Sequence, residues 1–200
     1  MQTNDRSSFV RRWTTQVSLA FLLGYLLYTP TGHGITGGHD RALSISQIVA
    51  HCIALAIVGL LVTSAQRRVL APYVSIGAGR IAVAVTGFIA AFWVGYYQTL
   101  IDGPDMDILL GYTVLGSATW VGRISARQHG LAAAIAILIY PVASFVGELV
   151  VFAGVVMFDV TPNFSQDPVQ HSAFWLTVGV TTGLLGGWGS GVALWRMIDD

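Results

Sequence analysis

Lysine is missing altogether from the 200 residues, and glutamate occurs once, at Glu148. All ten basic residues are arginine and nine of the ten acids are aspartate, so charged side chains make up 10% of the chain and cancel. A soluble domain carries roughly 25% charged residues, so the polar surface that keeps a fold of this size in water is lacking. No basic block stands out, which removes the electrostatic footprint of a nucleic-acid-binding protein. The all-arginine usage reads as coding bias rather than mechanism. Cysteine is nearly absent as well. Cys52 stands alone inside an apolar run, which excludes an intramolecular disulfide and reads as a small buried hydrophobe. The motifs of soluble enzymes are also absent: there is no nucleotide-binding glycine loop followed by lysine, no G-x-S-x-G and no H-E-x-x-H.

What the chain has instead is apolar length. Hydrophobic residues are 54% of the total, gathered into six runs at about 13–29, 45–65, 77–100, 108–122, 131–158 and 171–195. A hydrocarbon core about 30 Å thick needs about 20 helical residues, so the runs predict an all-α membrane protein with six spans; the fourth is short for a full crossing. Residues 1–12 then form an N-terminal cytoplasmic segment, 13–195 a single transmembrane domain and 196–200 a cytoplasmic tail. Arg11 and Arg12 before an apolar stretch resemble a twin-arginine leader, but no small-residue cleavage pattern follows and five further apolar runs do, which favours an uncleaved first span. With both termini inside, nine of the ten arginines fall on or near the inner face and only Arg41 lies outside, as the positive-inside rule requires. The expected location is the inner (cytoplasmic) membrane of a prokaryote.

Two patterns suggest how the spans pack. Gly179, Gly183, Gly187 and Gly191 recur every fourth residue in the last span, a stripe that lets another backbone approach closely in lipid. Span three repeats the spacing with Gly87, Ala91 and Gly95, so the two ladders are expected to close on each other in preference to forming a homo-oligomer. A candidate 3+3 inverted repeat, an arrangement found in transporters, rests on Leu22-Leu23-Gly24-Tyr25 matching Leu109-Leu110-Gly111-Tyr112, and on Thr86–Phe92 resembling Thr182–Trp188.

Function has a narrower footing. Glu148 lies deep in the fifth span, where a carboxylate costs several kcal/mol unless paired, protonated or hydrated. Ser144 and Tyr140 precede it at spacings of four, placing hydroxyl, hydroxyl and carboxylate on one helix face. Pro141 frees the Ile137 carbonyl nearby. His51, two turns into the second span from the outer side, completes a candidate substrate or ion site. The leading expectation is therefore a small-solute or ion transporter, channel or substrate-capture subunit. A second reading is a metal- or haem-binding module built on the outer-side His33, His39, Asp40 and His171, whose spacing matches no closed zinc motif. A third is a non-catalytic scaffold that uses the glycine stripe against a membrane-protein partner. Lipid is an expected partner in all three, and nucleic acid in none.

Overall fold

The computed structural model describes residues 6–36, 44–75, 77–79, 81–83, 85–87, 89–90, 130–161 and 167–199. Of these, 91% are helical and none is in a strand, which makes the described chain all-α. The calls for the short fourth span, for Ala91 and Gly95 in the third, and for the Leu109–Tyr112 half of the repeat lie outside the described residues.

Helix α1 (Arg6–Thr36) begins before and ends after the expected 13–29 run. Arg6, Arg11 and Arg12 are on the helix, and the backbone stays helical through Pro30 and His33 to Thr36. Helix α2 (Ile45–Leu70) starts at a capping box, in which the Ser44 hydroxyl accepts from the Gln47 N–H at 3.3 Å and the Gln47 side chain accepts from the Ser44 N–H at 2.9 Å. This satisfies two of the donors a helix start leaves open. Arg67 and Arg68 occupy its last turn, where cations meet the negative end of the helix dipole. Helix α3 (Gly130–Met157) runs unbroken through Pro141.

The last apolar run forms one long rod in three parts. Helix α4 (Pro168–Thr181) is capped by Asp167, whose carboxylate accepts from the N–H groups of Val169 and Gln170. A five-residue π turn (Thr182–Gly186) follows, and helix α5 (Gly187–Asp199) completes the rod; the backbone stays right-handed helical at both joints. Glycine costs about 1 kcal/mol of helix stability each, and the Thr-Thr-Gly-Leu-Leu-Gly-Gly stretch is where the hydrogen-bond ladder widens.

The rod lies between α1 and α3, and α2 lies along the other side of α1. Close contacts fix the directions. Gly24 of α1 faces Val58 of α2, Ser18 faces Gly183, and Gly147 of α3 faces Val178, so α1 and α3 run one way and α2 and the rod the other. Arg6, Arg11, Arg12, Arg67, Arg68 and Arg196 consequently gather at one end. Leu70 closes α2 and Gly130 opens α3 at that same end.

Among the described residues the glycine ladder meets α1. A Cβ on Gly191 would strike Trp13, one on Gly187 would press on Thr14 and Val17, one on Gly183 on Ser18 and Phe21, and one on Gly179 on Tyr25. The residues that fill the stripe on α1, Trp13, Val17, Phe21 and Tyr25, are themselves spaced by four, so a ladder of bulky side chains seats in a ladder with none. The described neighbours of the stripe are large side chains and backbone of α1, while Ala91 and Gly95 lie outside the described residues. A second small face on the same rod receives α3, since Cβ atoms on Gly186 and Gly189 would strike Tyr140 and Ile139.

On α3 burial runs opposite to that of a soluble helix. The buried positions there are Ala133, Ala136, Tyr140, Pro141, Ala143, Ser144 and Gly147, while Leu131, Ile135, Leu138, Val142, Phe145, Leu149, Phe152 and Val156 stand exposed. Exposed Ile45, Val49, Ile53, Ile57 and Leu60 form a similar stripe on α2. The helices Ile45–Leu70 and Leu131–Met157 are long and apolar enough to cross a membrane.

Candidate functional site

The residues proposed for one polar site are distributed over three levels. Tyr140 belongs to the level nearest the arginine end. The indole N–H of Trp13 donates to Ser190 Oγ at 2.9 Å, and the Tyr140 hydroxyl lies 2.9 Å from the same oxygen. Ser190 Oγ donates to the Gly187 carbonyl at 3.3 Å. A serine hydroxyl has one proton and two lone pairs; its proton goes to Gly187, so Trp13 and Tyr140 both donate to it. Gln66 and Trp13 also reach the Tyr140 hydroxyl. Side chains from α1, α2, α3 and α5 thus meet in one buried knot, which is a means of fixing helix register in an environment that offers no competing water.

His51 belongs to the opposite end. It is fully buried, and its Nε2 lies 3.2 Å from the Tyr28 hydroxyl with the rings edge to face at 5.0 Å. Tyr28 and Tyr25 both contact Trp175, with ring centroids 6.0 Å apart in each case, and Trp175 contacts His171 at 6.3 Å. His171, expected beside an outer loop, is 2% exposed on the first turn of α4. An aromatic cluster therefore encloses both histidines. Among the described residues no group of three or more His, Cys, Asp and Glu is placed to hold a metal. The side chain of His33 and both His39 and Asp40 lie outside the described residues.

Between these ends lies a third level. Gly183 of the π turn packs on Ser18 of α1, with 2.8 Å between an added Cβ and Ser18 Cα. On the other side, Ser144 of α3 sits between Tyr140, which faces Gly186, and Gly147, which faces Val178 and Thr181, and so faces the π turn too. Both hydroxyls are buried and neither makes a hydrogen bond. Thr182, at the start of the turn, directs its hydroxyl to the Val178 carbonyl at 2.7 Å. Glu148 follows Gly147 and is partly buried. The structure therefore buries Ser144 on the face of α3 that meets the rod, leaves Glu148 one helical turn further along and partly buried, brings Tyr140 into the knot, and places His51 in the aromatic cluster.

Sequence reasoning missed Ser18, the π turn, Trp13, Gln66 and Ser190. The density of glycine and threonine at 181–187 was the visible signal for the π turn. Ser18 and Ser190 lay within apolar runs with no pattern to mark them. No protein-family model, no curated protein and no solved structure matches this chain.

Proposed function

We propose that the protein is a multi-pass bundle of the inner membrane, of six spans with both termini cytoplasmic, that passes a cation or proton through the level of the π turn, Ser18, Ser144 and Glu148. The membrane reading is supported by the apolar exposed faces of α2 and α3, since soluble proteins rarely expose apolar patches beyond a few hundred Å². It is also supported by the two aromatic clusters, which begin at Phe9 and end at Tyr28 on α1, roughly 28 Å apart at 1.5 Å per residue, close to the thickness of a hydrocarbon core of about 30 Å.

The observation that carries the functional reading is the pair of unsatisfied hydroxyls, Ser18 Oγ and Ser144 Oγ, on either side of the π turn. Buried polar groups are nearly always paired, and a widened helical turn inside a membrane leaves backbone carbonyls free to coordinate; such breaks occur at functional sites. With a carboxylate one helical turn from Ser144, the locus offers hydroxyl, carbonyl and carboxylate oxygens, the donors a hard cation prefers, or a relay for a proton.

The test is flux. Protein reconstituted in liposomes is expected to dissipate an imposed proton, sodium or potassium gradient. Glu148→Gln is expected to lower the rate at least tenfold, and Ser144→Ala to lower it less, with both variants folded. Absence of flux for all three ions, or an undiminished rate in Glu148→Gln, overturns the reading. The scaffold alternative draws on a different observation, the tight glycine packing of the rod against two helices, and predicts that Glu148→Gln leaves every flux at background while assembly with a partner persists.

A further inference from the structure

At the arginine end, outside the levels discussed above, a cavity of about 240 Å³ opens between α1 and α2, lined by Ser8, Phe9, Arg12, Gln16, Arg68, Val69, Pro72 and Tyr73. Its polar wall has a regular origin. Ser8, Arg12 and Gln16 are spaced by four on α1 and form one stripe, and α2 brings Arg68 to that stripe from its last turn. Two guanidinium groups therefore border one small space. No acidic residue is among those lining it, and neither arginine makes an ion pair among the described residues. Like charges brought together without a counter-charge repel, and an anion between them removes the repulsion while taking hydrogen bonds from both planar forks.

The other wall is apolar and aromatic. Phe9 packs edge to face on Tyr73 at 5.6 Å and contacts Trp195 at 5.3 Å. This is the level at which the apolar run of α1 begins and that of α2 ends, where a membrane surface would lie and where aromatic rings collect. The volume is below the roughly 300–1,000 Å³ of pockets for drug-sized ligands. The space suits a tetrahedral oxyanion with a short apolar attachment.

We propose that this cavity binds a phosphate group, held between Arg12 and Arg68 with Ser8, Gln16 and Tyr73 as additional hydrogen-bonding partners. The group has two sources, the headgroup of an anionic phospholipid and soluble inorganic phosphate. Basic pockets between helices on the inner side of a membrane take lipid headgroups of this kind. The proposal is independent of any flux through the Glu148 level.

The full chain in neutral detergent is titrated with phosphatidylglycerol, phosphatidylcholine or inorganic phosphate, and bound molecules are counted by native mass spectrometry beside the thermal midpoint. One phosphatidylglycerol is expected to remain bound and to raise the midpoint, with phosphatidylcholine doing neither. Arg12→Gln and Arg68→Gln are each expected to weaken the binding about tenfold, as loss of a charge-assisted hydrogen bond does, while Arg196→Gln leaves it unchanged. Both arginines are exposed, so the unliganded midpoints of their variants should match the wild type and separate lost binding from lost folding. Inorganic phosphate that gives the same protection and displaces the lipid identifies the soluble source; lipid that resists displacement identifies the headgroup. Equal weakening by Arg196→Gln, or failure of both phosphatidylglycerol and phosphate to bind, overturns the proposal.

Discussion

Ser190 carries a single hydroxyl on which three groups converge: the Trp13 indole and the Tyr140 phenol as donors and the Gly187 carbonyl as acceptor. Removing it takes one buried hydrogen bond from each of Trp13 and Tyr140, whereas removing the Tyr140 hydroxyl leaves Ser190 still bonded to Trp13 and Gly187. Each buried hydrogen bond lost costs about 0.5–1.5 kcal/mol. Ser190→Ala is therefore expected to destabilise the protein by about 1–2 kcal/mol, and Tyr140→Phe by less, as read from thermal unfolding in detergent. The reverse order would show that Tyr140, through Gln66, is the anchor of the knot. At this scale the sequence marked Glu148 and Ser144 by their spacing of four on one helix, and the structure shows Ser144 buried and Glu148 partly buried. It was misleading for Tyr140, which shares their helix face but whose longer side chain reaches a different level. The sequence was silent for Ser18 and Ser190, because a serine within an apolar run carries no sign of what it faces.

Along each element, periodicity showed which face is small but not what fills it. The ladder at Gly179, Gly183, Gly187 and Gly191 was plain, and a matching ladder in span three suggested a like-with-like contact. The structure pairs the stripe with Trp13, Val17, Phe21 and Tyr25, because an empty groove accommodates a ridge of large side chains as well as a second groove, and the ridge makes more contacts. Helix ends were likewise only partly legible. Ser44 and Gln47 mark the start of α2 in the sequence, while α1 continues through a Pro30 and Gly-rich stretch that composition assigns to a loop. The contact at Gly183 is the stripe's closest approach to backbone, since an added Cβ would lie 2.8 Å from Ser18 Cα. Gly154 on α3 is the natural control, with nothing within 4 Å of such a Cβ. Gly183→Ala is expected to push α1 from the rod and lower the thermal midpoint of the monomer, and Gly154→Ala to raise it slightly, up to about 1 kcal/mol from helix propensity alone. A Gly183→Ala protein with an unchanged midpoint and a lost dimer on size-exclusion chromatography would assign the stripe to self-association.

For the molecule as a whole, the packing directions impose a constraint that no single span carries. The start of α1, the end of α2, the start of α3 and the end of α5 share one end, and six described arginines share it with them. In a bilayer, the positive-inside rule would make that end cytoplasmic. Composition and arginine placement suggested this arrangement from the sequence; the antiparallel contacts of Gly24 with Val58 and of Gly147 with Val178 were invisible there, because they join positions far apart in the chain. Accessibility tests the arrangement directly. In a Cys52→Ala background, Ser7→Cys at the arginine end and Thr161→Cys at the other are both at exposed positions. A membrane-impermeant maleimide added to intact cells is expected to label Thr161→Cys at once and Ser7→Cys only after permeabilisation. Labelling of Ser7→Cys alone in intact cells would turn the bundle over, placing the arginines outside and contradicting the charge rule. Equal labelling of both positions without permeabilisation would mean that the two ends are not separated by a bilayer, and the apolar exposed faces of α2 and α3 would then require a protein surface rather than lipid to cover them.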